Sequence, residues 1–162
     1  MGLLAYYFQP SGRIGRGGFW LGMLGLFVIE FAFTLWIAMT LFGHDVLDAN
    51  AQPLAKPAMQ LQLLIDLIFL FPLFVVLAKR FHDRNKGAAW ALPFILAHVA
   101  VVIAAITGVL PTSMPAAGAA ITLPGLVIAL AWIVIFAWTV IELGILRGTS
   151  GANRYGADPL AR

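Results

Sequence analysis

Four long apolar stretches constrain the fold of this chain more than any other feature of its sequence. They occupy residues 19–42, 58–78, 88–110 and 121–146. A helix needs about 20 apolar residues to cross a hydrocarbon core about 30 Å thick, and each stretch is long enough. Backbone groups in lipid must be satisfied within their own segment, so each stretch is expected to be helical. The sequence therefore predicts an all-α integral membrane protein with four transmembrane helices.

Composition supports a bilayer as the solvent. The chain has 162 residues, of which 62% are apolar and 10% charged, whereas soluble domains are about 45–50% apolar and about 25% charged. The absence of cysteine excludes disulfides, thiolate metal sites and cysteine nucleophiles. The first twelve residues contain no Lys or Arg, so no cleavable signal peptide is predicted. We expect the first apolar stretch to act as an uncleaved anchor.

The placement of basic residues predicts the orientation of the spans. Nine of the ten Lys and Arg residues lie in segments 1–18, 79–87 and 147–162, and the tenth is Lys56. The connection at 111–120, whose two prolines separate the third and fourth spans, has no charge. Basic residues are retained on the cytoplasmic side of bilayers, so the three basic segments are predicted to be cytoplasmic.

Short loops make consecutive spans antiparallel neighbours. The chain is therefore predicted to be a single membrane domain over 1–162. Its architecture would be an antiparallel up-down bundle of four transmembrane helices with both termini inside. The net charge of +3 arises from short clusters that border spans. This arrangement indicates topology and lipid contact, not nucleic-acid binding.

Three segments at the predicted cytoplasmic face share a pattern of Arg, aromatic and Gly residues. They read G-R-I-G-R-G-G-F-W at 12–20, A-K-R-F-H-D-R-N-K-G-A-A-W at 78–90, and G-T-S-G-A-N-R-Y-G-A-D-P at 148–159. Their order and spacing, over nearly the whole chain, resemble the bacterial inner-membrane family called "domain of unknown function 805" (DUF805). Lys79 and Gly87 depart from that pattern, where an arginine and a serine are expected. The resemblance implies a multi-pass protein of the bacterial inner membrane and no particular reaction.

We expect the signature residues of these segments to act as one cytoplasmic cluster: Arg13, Arg16, Trp20, Arg80, His82, Asp83, Arg84, Trp90, Gly151, Asn153, Arg154, Tyr155, Gly156, Asp158 and Pro159. Arginine presents a planar fork that suits phosphate, and glycines allow backbone amides to point at an anion. One interpretation is a site for an anionic headgroup or phosphate ligand. The other is a set of topogenic arginines, glycine turns and an Arg–Asp pairing that ties loop to tail.

Catalytic interpretations of the His82-Asp83 pair are weak. A metal site would need more ligands, and Asp158 is the one obvious candidate. A nucleophile–base arrangement would need Ser150 or Thr149 beside His82. The sequence has no Gly-x-Ser-x-Gly, phosphate-loop or His-Glu-x-x-His pattern. No catalytic residue, metal or cofactor is predicted.

Three ionisable residues lie inside predicted spans. Glu30, Asp66 and His98 are roughly 16, 18 and 15 Å from the cytoplasmic ends of their helices at about 1.5 Å per residue. Ionisable groups at such depth are functional candidates, and Thr34 and Gln62 lie one turn from the two acids. A proton or cation relay and simple interhelical polar contacts are both open.

The leading hypothesis is a non-enzymatic membrane protein that acts through its basic cytoplasmic face, on anionic lipid headgroups or on a protein partner. The alternative is a small oligomeric transporter or channel subunit that uses the intramembrane relay. Small residues at fourth positions offer a surface for homo-oligomers, on the third span at Ala100, Ala104 and Gly108 and on the first at Gly18 and Gly22.

Overall fold

A computed structural model describes residues 2–43, 55–107, 109–110 and 122–161. The helices in these ranges are α1 (Leu3–Phe8), α2 (Arg16–Phe42), α3 (Ala55–Asp83), α4 (Leu92–Ile106) and α5 (Leu123–Thr139). A 3₁₀ turn (Ala88–Ala91) precedes α4, and a π-helical segment (Val140–Ile145) continues α5. The predicted break at 111–120, together with Gly108 and Arg162, lies outside the described residues.

Four helical stretches, around α2, α3, α4 and α5, are long and apolar enough to cross a membrane. The prediction of an all-α membrane protein with four such helices is confirmed. Large apolar side chains such as Leu24, Phe31, Ile68 and Val134 are exposed along them, which is the pattern of helices whose outer faces contact lipid. The third predicted span is shorter than expected, because α4 ends at Ile106 and Thr107 caps it through backbone hydrogen bonds.

The buried core is concentrated toward one end of the long helices. It consists of Tyr7, Ile14, Phe19, Leu26, Val76, Leu77, Phe81, Ala91, Phe94 and Leu143. Helices α1 to α4 all contribute, Ile14 lies between α1 and α2, Ala91 lies on the 3₁₀ turn, and Leu143 lies on the π-helical segment that continues α5. The basic segments 12–16, 79–87 and 147–158 lie at the same end, so the best-packed part of the molecule supports them.

Helix α3 is longer than its predicted span of 58–78, which was expected to give way to a loop at 79. It continues to Asp83, because basic side chains in a last turn interact favourably with the helix dipole. The helix then stops in a Schellman motif: Lys86 N–H donates to Phe81 O and Asn85 N–H donates to His82 O, both at 2.9 Å. Asn85 adopts the left-handed conformation that this motif requires, with φ 58°.

The short helix α1 was not predicted from the sequence. Its two tyrosine hydroxyls donate to carbonyls of α2, Tyr6 to Gly18 O and Tyr7 to Gly22 O, the latter at 3.1 Å. Gly22 lies six residues into α2, or about 9 Å below its first residue. The N-terminal segment thus folds down beside the spans instead of staying at their ends.

Lys79 closes the open end of α1. Its ammonium donates to Ala5 O at 2.6 Å and to Tyr6 O at 2.8 Å. The last carbonyls of a helix have no partner within the helix, and a cation is favourable there. Phe8 completes the contact with α3 through its ring, 6.2 Å from the ring of Phe71. Lys79 therefore has a specific partner at the position where the family pattern has arginine.

Glycines on α2 make room for α1. A Cβ at Gly22 would lie 2.9 Å from the Tyr6 ring, and a Cβ at Gly25 would overlap the Tyr7 hydroxyl. Gly18 also faces Tyr6. The small-residue surface of the first span is thus covered by α1, and self-association of the protein stays a prediction.

We expect Gly25→Ala to displace α1 and to lower the free energy of unfolding by about 1–3 kcal/mol, as extra volume in a packed contact does. Gly17→Ala is the matched control, because a Cβ there meets nothing within 4 Å. It should be neutral or slightly stabilising, since alanine favours the helix over glycine. Denaturant unfolding in micelles and amide hydrogen exchange at residues 3–8 measure both effects. Equal stability and exchange in the two variants would contradict the docking of α1.

Candidate functional site at the basic end of the bundle

Asp83 lies at the centre of the surface formed by segments 12–20, 78–90 and 142–160, which we call the rim. Its Oδ1 accepts from Arg13, from Nε at 3.2 Å and from Nη2 at 2.9 Å. Its Oδ2 pairs with Arg80. The exposed fractions of these side chains are 1% for Arg13, 0% for Arg80 and 5% for Asp83. One buried carboxylate therefore faces two buried guanidinium groups, and the cluster carries excess positive charge.

Backbone carbonyls at the end of the π-helical segment stabilise Arg80. Its Nε donates to Leu143 O at 2.7 Å, and its Nη2 donates to Leu146 O at 2.6 Å. Arg16 similarly donates to Ile145 O at 3.2 Å. These carbonyls end a helix and carry the negative end of its dipole, so the arginines serve as its C-terminal caps.

Arg13 binds the C-terminal tail in the same way. Its guanidinium donates to Thr149 O at 2.7 Å, to Gly151 O at 2.8 Å and to Gly156 O at 3.2 Å. Gly148 lies so close that a Cβ there would overlap the Asp83 carboxylate. The tail is thus part of the polar environment of the ion cluster.

Asn153 joins the tail to the end of α3. Its Nδ2 donates to His82 O and to Thr149 Oγ1, both at 2.9 Å. The Tyr155 ring stacks on the His82 ring, with centroids 3.9 Å apart and planes within 7°. Gly156, with φ 134°, closes the turn through two 3.0 Å hydrogen bonds to Asn153, a conformation that side-chain-bearing residues rarely adopt.

A second ion cluster, which the sequence reading missed, forms around Glu142. Its Oε1 accepts from Arg84 at 3.1 Å and from Lys86 at 2.6 Å. The Lys86 ammonium also lies 4.9 Å from the centroid of the Trp90 ring. The sequence signal was present, since Glu142 is the one acid near the end of the fourth span. Which basic residues pair with Glu142 depends on how the chain turns after α3.

The remaining signature residues lie at the edge of the rim. Trp20 Nε1 donates to Gly144 O at 3.3 Å. The Arg154 guanidinium lies 4.7 Å from the Tyr155 ring centroid and donates to Asn85 O. Pro159 lies near Gly15, because a Cβ built on Gly15 would be 4.0 Å from the Cβ of Pro159. The Trp20 contact joins α2 to the π-helical segment, and the contacts of Arg154 and Pro159 join the tail to the loop after α3 and to the start of α2.

A cavity of about 250 Å³ opens beside the ion cluster. Its charged lining consists of Arg16, Arg80, Arg147, Asp83 and Asp158. In the part of the chain that the structure describes, the Arg147 side chain makes no hydrogen bond or ion pair, although its carbonyl accepts from Arg84. The cavity lining therefore has more cationic than anionic groups. Its exposed arginines, Arg16 and Arg147, make fewer hydrogen bonds than the buried Arg80.

The three ionisable residues that were predicted to lie within spans form a separate group. Glu30, Asp66 and His98 line one cavity of about 210 Å³ between α2, α3 and α4. Gln62 Nε2 donates to Asp66 Oδ1 at 2.6 Å. Within the described ranges, no group of three His, Asp or Glu side chains is arranged to hold a metal ion.

Comparisons with known proteins match almost the whole chain. The family described as "Protein of unknown function (DUF805)" matches residues 7–157, which include the first two rim segments and residues 142–157 of the third. The Uncharacterized protein YiiR of Escherichia coli K12 is 30% identical over 158 residues, covering 98% of this chain and 90% of YiiR. YiiR of Escherichia coli O157:H7 matches to the same extent. No solved structure matches.

We expect Asp83→Asn to lower the free energy of unfolding by about 3–5 kcal/mol, because it leaves two buried guanidinium groups without a counter-ion. Glu142→Gln is the matched control. Its partners Arg84 and Lys86 are 23% and 32% exposed, so water compensates for the lost charge and the decrease should be smaller. Denaturant unfolding in micelles measures both. Equal losses would contradict the central role of Asp83.

The tail should respond to pH through Asp158. Backbone N–H groups of Leu160 and Gly151 donate to its carboxylate at 2.9 and 2.8 Å and lower its pKa. The stabilisation is thus complete above the ordinary Asp pKa of about 3.9, and it is lost as the pH falls through the lowered value. NMR shifts of these two amides should titrate below about pH 3.9, while the Tyr155 amide, bound to Asn153, should not. A midpoint at or above the ordinary value, or titration in Asp158→Asn, would contradict this assignment.

Proposed function

The chain belongs to the DUF805 family of proteins of unknown function, and from the geometry of its rim we propose that it binds the phosphate groups of anionic lipids. The site would be the cavity between Arg16, Arg80 and Arg147. The setting we propose is a bacterial inner membrane, with four antiparallel spans in one up-down bundle and both termini in the cytoplasm. Nine of ten basic residues on one side of the spans support that orientation.

The observation that carries the proposal is the imbalance of charge at the cavity. The guanidinium groups of Arg13 and Arg80 make most of their hydrogen bonds with Asp83 and with backbone carbonyls. Arg16 and Arg147 add two exposed cations to the same wall, where Asp158 supplies one carboxylate. An anion that entered the cavity would meet this excess charge with little reorganisation of the protein.

A lipid phosphate suits this position better than an anionic segment of a protein partner. The cavity lies where α2 begins, where α3 ends and just beyond the π-helical segment. Exposed apolar side chains, Ile145 and Leu146, precede Arg147, so acyl chains would lie beside the apolar positions and the phosphate beside the arginine. A basic side chain near an anionic leaflet contributes about 1 kcal/mol to binding.

We propose that this binding involves no catalysis. His82 Nδ1 lies 3.1 Å from Gly12 O, and its ring stacks on Tyr155. The Thr149 hydroxyl donates to Asp83 O at 2.9 Å. Both groups are used in joining α3 to the tail, which favours a binding role over a nucleophile–base pair.

Native mass spectrometry of the full chain tests the lipid site. We expect the wild type to retain phosphatidylglycerol in preference to phosphatidylcholine, and the double variant Arg16→Ala/Arg147→Ala to lose that preference. Arg154→Ala is the matched control, because it removes an exposed arginine of the same rim that does not line the cavity. Arg80 is unsuitable for the test because its removal breaks the buried cluster.

A preference for phosphatidylglycerol that survives the double variant would overturn the proposal. Equal loss in Arg154→Ala would show that total charge, and not the cavity, attracts the lipid. Added inorganic phosphate is a further arm. Competition by inorganic phosphate at concentrations comparable to the lipid would indicate a soluble phosphate ligand instead.

A further inference from the structure

The cavity between α2, α3 and α4 holds three titratable groups from three helices. Glu30, Asp66 and His98 line it, and its other walls are apolar. Glu30 and Asp66 therefore share one apolar space, in which Gln62 Nε2 also donates to Asp66 Oδ1 at 2.6 Å. Two negative charges in one apolar cavity would repel each other and be poorly solvated, so this setting favours a proton bound by the pair.

Glu30 borders a second cavity as well. This cavity, of about 280 Å³, is lined by Phe27, Glu30, Phe31, Thr34 and Gln62. Thr34 and Gln62 lie one helical turn farther from the rim than Glu30 and Asp66. The first cavity extends the other way, toward Met23 and Leu73. Phe27 and Glu30 line both cavities, so they lie between a space on the rim side and a space on the far side, and Glu30 is the titratable residue of the two.

The Thr34 hydroxyl supports a polar role for the second cavity. Threonines within apolar helices commonly donate to the carbonyl four residues earlier, and Thr40, Thr107 and Thr139 all do so, at 2.8 to 2.9 Å. Thr34 does not: its Oγ1 is buried and has no hydrogen-bond partner among the described residues. A buried hydroxyl without a partner is costly, and this one lines the cavity that Glu30 shares.

We propose that Glu30, Asp66 and His98 form a proton-transfer site in the interior of the membrane. The Glu30–Asp66 pair holds one proton, and the His98 imidazole is the group that receives it. On transfer, an O–H bond of the pair breaks and an N–H bond of the ring forms. The pair gains one negative charge and the ring one positive charge, so the total charge of the cluster is unchanged.

The surroundings favour exchange of a proton over permanent neutralisation of the carboxyl groups by a basic residue. The titratable groups that face the site are Glu30 from α2, Asp66 from α3 and His98 from α4, and no lining residue comes from α1 or α5. No Lys or Arg lines either cavity among the described residues. The proton is thus the counter-ion of the carboxyl pair, and the site is independent of phosphate binding at the rim.

The test uses the full chain in liposomes that contain a pH-sensitive dye, with a potassium diffusion potential as the driving force. We expect proton flux above that of empty liposomes, and a fall to the empty-liposome level in both Glu30→Gln and Asp66→Asn. Thr40→Val is the matched control on α2, because Thr40 donates to Trp36 O and lines neither cavity. It should retain the wild-type flux.

A lipid-soluble carbodiimide provides a readout that needs no variant, since it reacts with protonated carboxyl groups in apolar surroundings. It should label Glu30 or Asp66, as read by peptide mass spectrometry, and should abolish the flux. Wild-type flux equal to that of empty liposomes would overturn the proposal. So would flux that survives both substitutions, or carbodiimide labelling that leaves both acids unmodified.

Discussion

The arrangement of the rim depends on one buried carboxylate that faces two buried guanidinium groups. Removing Arg13 and Arg80 from water is costly, and Asp83 compensates for one of the two charges. The other must be stabilised by dipoles, and the backbone supplies them from the end of the π-helical segment and from the tail. Even Gly148 follows from this requirement, since a side chain there would collide with Asp83.

Four arginines of the rim therefore divide into two groups with different physical roles. Arg13 and Arg80 are interior residues that organise backbone, although their positions at span ends would suggest contact with lipid. Arg16 and Arg147 remain exposed at the cavity. Charge counting along a sequence gives all four the same meaning. Burial separates them, and of these four only Arg16 and Arg147 are available to a ligand.

The sequence predicted the four helices well, because apolar length is a local property that needs no knowledge of packing. It also identified Glu30, Asp66 and His98 as residues at one depth, since the rise of a helix is constant. It did not predict α1, whose six residues are too few to form a helix alone and depend on Lys79 and the glycines of α2. The pairing of Glu142 with Arg84 and Lys86 was not predicted either. It depends on the Schellman turn that ends α3 and sets the position of the loop that follows.

The contacts of the tail have a consequence for biosynthesis. The ribosome delivers Arg13, Arg80 and Asp83 to the membrane well before residues 148–156 are made. During that interval water and lipid solvate the excess charge of the cluster, and the contacts between Arg13 and the tail have not yet formed. The contacts of Arg13, His82 and Asp83 with the tail can therefore form only after residues 148–156 have been synthesised. A chain that ended before residue 148 would leave the Arg13 guanidinium without the carbonyls of Thr149, Gly151 and Gly156.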